Sequence, residues 1–309
     1  MGALFDSYNL HNVDNFELLA KQVVEGFIIG LHQSPYHGFS AEFAEHKLYN
    51  PGETTKNIDW KVFARTDRLY NKKYDDETNL RCQLVIDASS SMALTNMEQD
   101  ARKLSKLQWS TLAAASLMYL LKKQRDAFGL TVFDESIHIH RRASGSLKQM
   151  RLLLSYLEDL YRNPPEQQRK TNLADTLHEV AERIDKRSLV VIFSDFFEQM
   201  DQPDPVFSAL QHLRYNKREV IVFNVIDHKK EIHFAYQNKP IKFIDYESGE
   251  TIKIRPQEIQ ELYKEKITEF LDLLRLKSLQ MGIDIMSADI NEDFNKVLRA
   301  FLIRREKVM

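Results

Sequence analysis

The segment Asp87-Ala88-Ser89-Ser90-Ser91 follows a short, mostly apolar run that starts at Cys82. It sets a carboxylate and then hydroxyls at alternate positions where a strand gives way to a loop. Side chains 87, 89 and 91 can converge on one point at such a turn. A second apolar run, from Ser188 to Phe193, ends in Ser194-Asp195, and Thr171 lies just ahead of the helix-period stretch LADTLHEVAERI. Two carboxylates and three hydroxyls, with no soft ligand competing, suit magnesium or manganese. Hydroxyl donors are neutral, so a cation held by them keeps positive charge and an open position that attracts a partner's carboxylate. Ser and Asp at strand ends are also ordinary turn and cap residues, which is the plain alternative.

Elements of alternating kind position these residues. CQLVID reads as a buried strand, and a long helix is expected from about Asp100 to Lys123, with Leu104, Leu107, Thr111, Ala114, Leu117 and Leu121 at three-four spacing. AFGLTVF and ESIHIHRRA suggest a hairpin-like pair around Asp134 and Glu135. SLKQMRLLLSYLEDLY is an amphipathic helix stopped before Pro164 and Pro165, and LADTLHEVAERI is another with Thr171 or Asn172 as its N-cap. SLVVIFSD is the clearest central strand; the helix PDPVFSALQHLRY opens with Pro205 near its first position. EVIVFNVID and IDIMSADI are further strands, and EDFNKVLRAFLIRR closes the chain as a helix. This order predicts an α/β fold: a doubly wound, mostly parallel sheet with right-handed crossovers, the HIH segment adding an antiparallel edge. Ligands of such sheets bind at the carboxyl ends of the strands, where strand order reverses. Asp87 and Asp195 end two of those strands.

Two regions depart from the alternation. Residues 1–80 hold a helix (FELLAKQVVEGFIIGL) and then polar, aromatic-rich chain with turn points at Gly38, Pro51 and Gly52. Residues 229–256 alternate apolar and polar (IHFAYQ, IKFIDY, TIKIR) around Glu247-Ser248-Gly249, which predicts a small antiparallel insertion in the α/β domain of residues 81–309. The insertion and the N-terminal region are expected to pack together as a smaller β-rich subdomain.

A formal net charge of -2 gives no basic excess, so nucleic acid is not an expected partner. The single cysteine, Cys82, excludes an intrachain disulfide and reads as a core residue. No apolar stretch is long enough to span a bilayer and the N-terminus lacks the regions of a signal peptide, so a soluble, cytoplasmic protein is expected. No phosphate-binding Gly-rich loop, Gly-x-Ser-x-Gly elbow or His-Glu-x-x-His pair is present, so a binding module is favoured over a metal-assisted hydrolase or phosphoryl transferase. A scaffold with a vestigial site is the third reading. His138 and His140 share one strand face without a third zinc ligand, and Trp60 with Phe63 reads as an anchor of the N-terminal region. Met92 and Met97 fit a partner contact or core packing equally well.

DASSS resembles the DxSxS motif of von Willebrand factor A domains, with Thr171 and Asp195 in the places of that motif's distant Thr and Asp. The resemblance implies a metal-ion-dependent adhesion site in which Ser89, Ser91 and Thr171 contact the metal, while Asp87 and Asp195 act directly or through water. Lys170 stands where those domains usually have Gly. The upstream stretches HQSPYHGFSAEFAEHKLYNPGE and NIDWKVFARTDRLYNKKYDDET resemble the signature of the bacterial domain-of-unknown-function 58 family. Glu53 follows Pro-Gly as in that family, and Lys47 stands where an Arg is usual. This resemblance spans nearly the whole chain and implies a partner, a MoxR-type AAA+ ATPase, in chaperone-like assembly or metal insertion.

Overall fold

The computed structural model describes residues 16–32, 45–48, 60–73, 80–93, 104–164, 172–236, 239, 241–244, 251–292, 298, 299, 301 and 302. Two compact units are distinguished, residues 28–79 and residues 1–27 with 80–309. Helix α1 (Phe16–His32) begins in the larger unit, with Phe16, Leu19, Ala20 and Val24 buried at helical spacing. There the Tyr119 hydroxyl donates to Glu17 Oε1 at 2.7 Å, and the Phe16 ring lies 5.3 Å from that of Tyr161. In the smaller unit, β1 (Glu45–Leu48) pairs antiparallel with β2 (Tyr70–Lys73). The short helix α2 (Trp60–Thr66) in the same unit sets the Trp60 and Phe63 rings edge to face.

The larger unit is built on one six-stranded sheet. Its strands are β3 (Arg81–Asp87), β4 (Ala127–Phe133), β5 (Ile137–Ser144), β6 (Leu189–Ser194), β7 (Glu219–Ile226) and, last in the chain, an edge strand over Asp284–Asp289. Across the sheet they run Asp284–Asp289, β7, β6, β3, β4, β5, and every neighbouring pair is parallel except β4 with β5. The expected fold class and the antiparallel edge are therefore the ones found. From β3 the chain winds one way to β4 and β5; from β6 it winds the other way. Strand order reverses between β3 and β6, which pair side by side from Cys82–Leu189 to Ile86–Phe193.

Burial on both faces explains why the central strands are mostly apolar. Helix α3 (Ser90–Ala93) follows β3, and α4 (Lys106–Lys123) packs on β3, β4 and β7. Helix α5 (Leu147–Arg162) lies against α4. Helices α6 (Leu173–Arg183) and α7 (Asp204–Arg214) pack together. Their Leu177, Val180, Ala209 and Leu210 share a core with Val85, Val190, Ile192 and Val222. The alternate strand residues Leu84, Ile86, Phe193 and Phe223 project from the opposite face; the last two stack at 5.2 Å. Gly129 of β4 meets a register irregularity in β5, and a Cβ there would clash with the Arg141 carbonyl oxygen and Gln83 Oε1.

Three expectations need adjustment. Helix α4 is bounded by Ser105, not begun near Asp100: the Ser105 hydroxyl accepts from Gln108 N at 3.0 Å while Gln108 Oε1 accepts from Ser105 N at 3.0 Å. That reciprocal pair closes the first turn. Asn172 holds the N-cap position of α6 but makes no capping bond, donating instead to Asp175 Oδ2. Only the second half of the predicted insertion is a hairpin, β8 (Ile241–Ile244) with β9 (Thr251–Ile254). Within IHFAYQ the described residues Ile232–Tyr236 form no strand, because a π-helical turn over His228–Ile232 bends the chain first. Helix α8 (Pro256–Gln280) then leads to β10, the edge strand Asp284–Asp289. Of the closing helix, residues 298, 299, 301 and 302 are helical, with Leu298, Phe301 and Leu302 buried.

Candidate metal centre

At the carboxyl end of β3 the chain turns at Asp87. The Ala88 amide still donates to the Phe133 carbonyl oxygen at 2.7 Å, which keeps the first loop residue tied to β4. Asp87 Oδ1 accepts from the Ser89 amide at 2.9 Å, a local turn typical of Asp. Its Oδ2 accepts the Ser194 hydroxyl at 2.5 Å from the neighbouring end of β6. The Ser89 and Ser91 hydroxyl oxygens stand 3.2 Å apart. Asp87 and Ser89 are buried, whereas Ser91 is half-buried and is the most exposed of these three. Thus the structure brings 87, 89 and 91 to one place, as their alternate spacing requires.

Asp195 reaches the same edge from β6 and is buried too. Its Oδ1 accepts the Phe197 amide at 3.2 Å, and the Ser194 hydroxyl accepts the Phe196 amide at 3.2 Å. Between those contacts Phe196 takes a left-handed backbone (φ 56), rare for a bulky residue, with its side chain buried in the core. That conformation turns the loop sharply enough for Asp195 to face inward.

The Lys106 ammonium lies 2.5 Å from Asp195 Oδ2 and 2.6 Å from Glu231 Oε1, with the Phe197 ring centroid 4.7 Å away. Lys106 is only 5 % exposed. Burial pulls its pKa down, but Asp195 and then Glu231 outweigh that and raise it, so the side chain is charged. Burial and then Asp195 push the Asp87 carboxyl up to about 6, against hydrogen bonds from Ser194 and Ser89 that hold it down. Glu231 is likewise raised, first by burial.

Residues 45–270 match the sequence profile of the family described as "Protein of unknown function DUF58". The chain belongs to the DUF58 family. Uncharacterized proteins of Mycobacterium bovis and Mycobacterium tuberculosis are 24% identical to this DUF58 chain over 212 residues. The match covers 68% of this chain but only 63% of theirs. Among solved structures, BatB from Bacteroides thetaiotaomicron aligns at 13% identity and TM-score 0.45, over 74% of this chain and 99% of its own. An aerotolerance-related membrane protein from Bacteroides fragilis aligns over the same shares at 15% identity and TM-score 0.45. The fold class follows from the strand order itself.

The donors present in this DUF58 chain suit a divalent cation. Asp195 and Glu231 share the Lys106 ammonium, while Asp87 accepts hydrogen bonds from the neutral Ser89 amide and Ser194 hydroxyl and feels the Asp195 charge, so its own negative charge is costly to hold. Burial is the larger cause of the raised Asp87 pKa, and the neighbouring Asp195 charge is the second. An ion of charge two would neutralise the Asp87 charge, and every available donor is a hard oxygen. Among the described residues no three or more His, Cys, Asp and Glu side chains gather as a metal cluster of their own; here hydroxyls complete the set. Thr171 lies outside the described residues, as does Met97. Met92 is fully buried and belongs to the core. His138 Nε2 lies 2.6 Å from Asp134 Oδ1, and His140 Nδ1 lies 3.0 Å from Thr131 Oγ1. Each has its own local partner, so the two do not form a chelating pair.

Sequence reasoning missed Lys106, Glu231 and Ser194. The last adjoins Asp195, and a hydroxyl beside a carboxylate at a strand end was a usable signal. Lys106 carried a weaker one: it opens a helix buried almost all round its circumference, where a lysine needs an acidic partner. Glu231 is 125 residues from Lys106 and gave no local signal. No helix among the described residues is long and apolar enough to cross a membrane.

Proposed function

We propose that this DUF58 protein is a cytoplasmic, metal-dependent protein-binding module that acts with a MoxR-type AAA+ ATPase in chaperone-like assembly. The observation that carries the reading is the meeting of Asp87, Ser89 and Ser91 with Asp195 at the sheet's reversal point, where the buried Asp87 feels the Asp195 charge. Ser89, Ser91 and Thr171 would hold magnesium or manganese, with Asp87 and Asp195 acting directly or through water. Bound there, the ion supplies an electrophilic position for an acidic side chain of the partner. The chain's own part is preorganisation: the Ser89 amide and Ser194 hydroxyl fix Asp87, and the Phe197 amide fixes Asp195. The half-buried Ser91 marks the side from which a partner carboxylate arrives. The partner class and the cytoplasmic setting draw their support from the family resemblance and from the nucleotide such an ATPase consumes.

One observation favours a second reading, a scaffold that needs no metal. Lys106 already gives Asp195 a cation, so the loops are held without an ion. The readings part in a pull-down of the purified MoxR-type ATPase of the same organism on the immobilised protein. The module captures it in magnesium and loses at least about tenfold in affinity, ~1.4 kcal/mol, on chelation or in Ser89→Ala. Equal capture in magnesium, in chelator and in Ser89→Ala would establish the scaffold.

A further inference from the structure

We infer that Lys106 is a tethered counter-cation that competes with the divalent ion for the site's negative charge and so sets how tightly that ion is held. The inference rests on the metal-binding reading above.

Three observations carry it. First, the lysine is spent inward. Its ammonium is buried at the start of α4, bridges Asp195 and Glu231 at 2.5 and 2.6 Å, and faces the Phe197 ring. A surface lysine contributes little to stability, but a desolvated one between two carboxylates is compensated only while both remain. Second, it shares a ligand with the candidate metal. Asp195 Oδ2 cannot give its full charge to an ion while it holds the ammonium, so each added cation weakens the hold of the other. Third, Glu231 is fixed independently of Lys106, since its Oε2 accepts the Asp227 amide at 2.8 Å. Asp227 Oδ1 in turn accepts Asn291 Nδ2 at 2.9 Å. Removal of the lysine therefore leaves Glu231 anchored beside Asp195, and their combined charge remains to be neutralised.

The signs follow. Lys106→Met removes the resident cation and leaves the buried Asp87 and Asp195 beside the partly buried Glu231. The chelator-treated protein then melts several degrees lower than wild type, and magnesium restores most of the loss. Its affinity for magnesium rises about tenfold or more, because the ion now supplies the missing charge. Glu231→Gln removes one negative charge and keeps the lysine on Asp195, so magnesium binds several-fold more weakly. The double variant Lys106→Met/Glu231→Gln lies between the single variants in both melting temperature and affinity.

The experiment is calorimetric titration of magnesium chloride into the full chain, as wild type, both single variants and the double variant. Thermal melts in chelator and in magnesium accompany it. Tighter magnesium binding in Lys106→Met with weaker binding in Glu231→Gln is the expected result. Magnesium affinity in Lys106→Met equal to wild type, or reduced as it would be on loss of a ligand, overturns the inference and leaves the metal reading standing. Should Lys106→Met not fold, Glu231→Gln alone decides: unchanged or tighter magnesium binding overturns the inference. No binding by wild type or any variant overturns both.

Discussion

Burial governs the behaviour of Asp87. It accepts two hydrogen bonds, yet its pKa is pushed up to about 6 because water is excluded and Asp195 is close. The unfolded chain releases the same proton near 3.8. The folded state therefore binds the proton more tightly across that window, and folding stability declines as pH rises through it. The loss is complete above the folded value and amounts to roughly 2–3 kcal/mol. Denaturant unfolding of the chelator-treated protein at about pH 5 and about pH 7.5 should show about half of this decline, roughly 1–1.5 kcal/mol. Asp87→Asn, which cannot ionise, should flatten it, and so should magnesium, which replaces the proton. An equal pH slope in wild type and Asp87→Asn would show that Asp87 is not the group strained by burial.

The strand ends and the helix starts decide whether those side chains meet. Strand identity was legible because β3, β6 and β7 are buried on both faces and read as apolar runs. The hairpin β4–β5 was legible from its polar turn at Asp134 and Glu135. Helix α4 was placed too early because the periodicity of apolar residues extends upstream of Ser105, while the reciprocal bonds of Ser105 and Gln108 stop the helix there. The alternation of IHFAYQ fits a strand, but Glu231 is drawn inward to Lys106 and to the Asp227 amide, and the chain coils instead. Long-range pairing overrode the local pattern in that segment. The β4–β5 edge yields its own prediction. Gly129→Ala drives a methyl against the Arg141 carbonyl and the Gln83 amide, which is itself bound to Thr131. The cost should be about 1–3 kcal/mol in urea unfolding. A variant as stable as wild type would mean that β5 shifts freely, contrary to its pairing through Ile137–Ser144.

Topology explains why residues far apart in the chain form one centre. Winding outward in both directions from β3 and β6 leaves their carboxyl ends side by side, so Asp87 meets Ser194, 107 residues later, without a specific loop to guide it. The first half of the site was therefore legible from DASSS and the second from the end of SLVVIFSD. The balancing charges were not: Lys106 and Glu231 acquire meaning only when α4 and the turn after β7 close over the same edge. On the proposed reading, the centre is a set of hard oxygens whose charge a divalent ion would neutralise. Titration of the chelator-stripped protein with magnesium and manganese, beside Asp87→Ala, tests this most directly. The account predicts binding near one ion per chain in wild type and its loss in a folded Asp87→Ala. Absence of binding to folded wild type, or undiminished binding in Asp87→Ala, would contradict it.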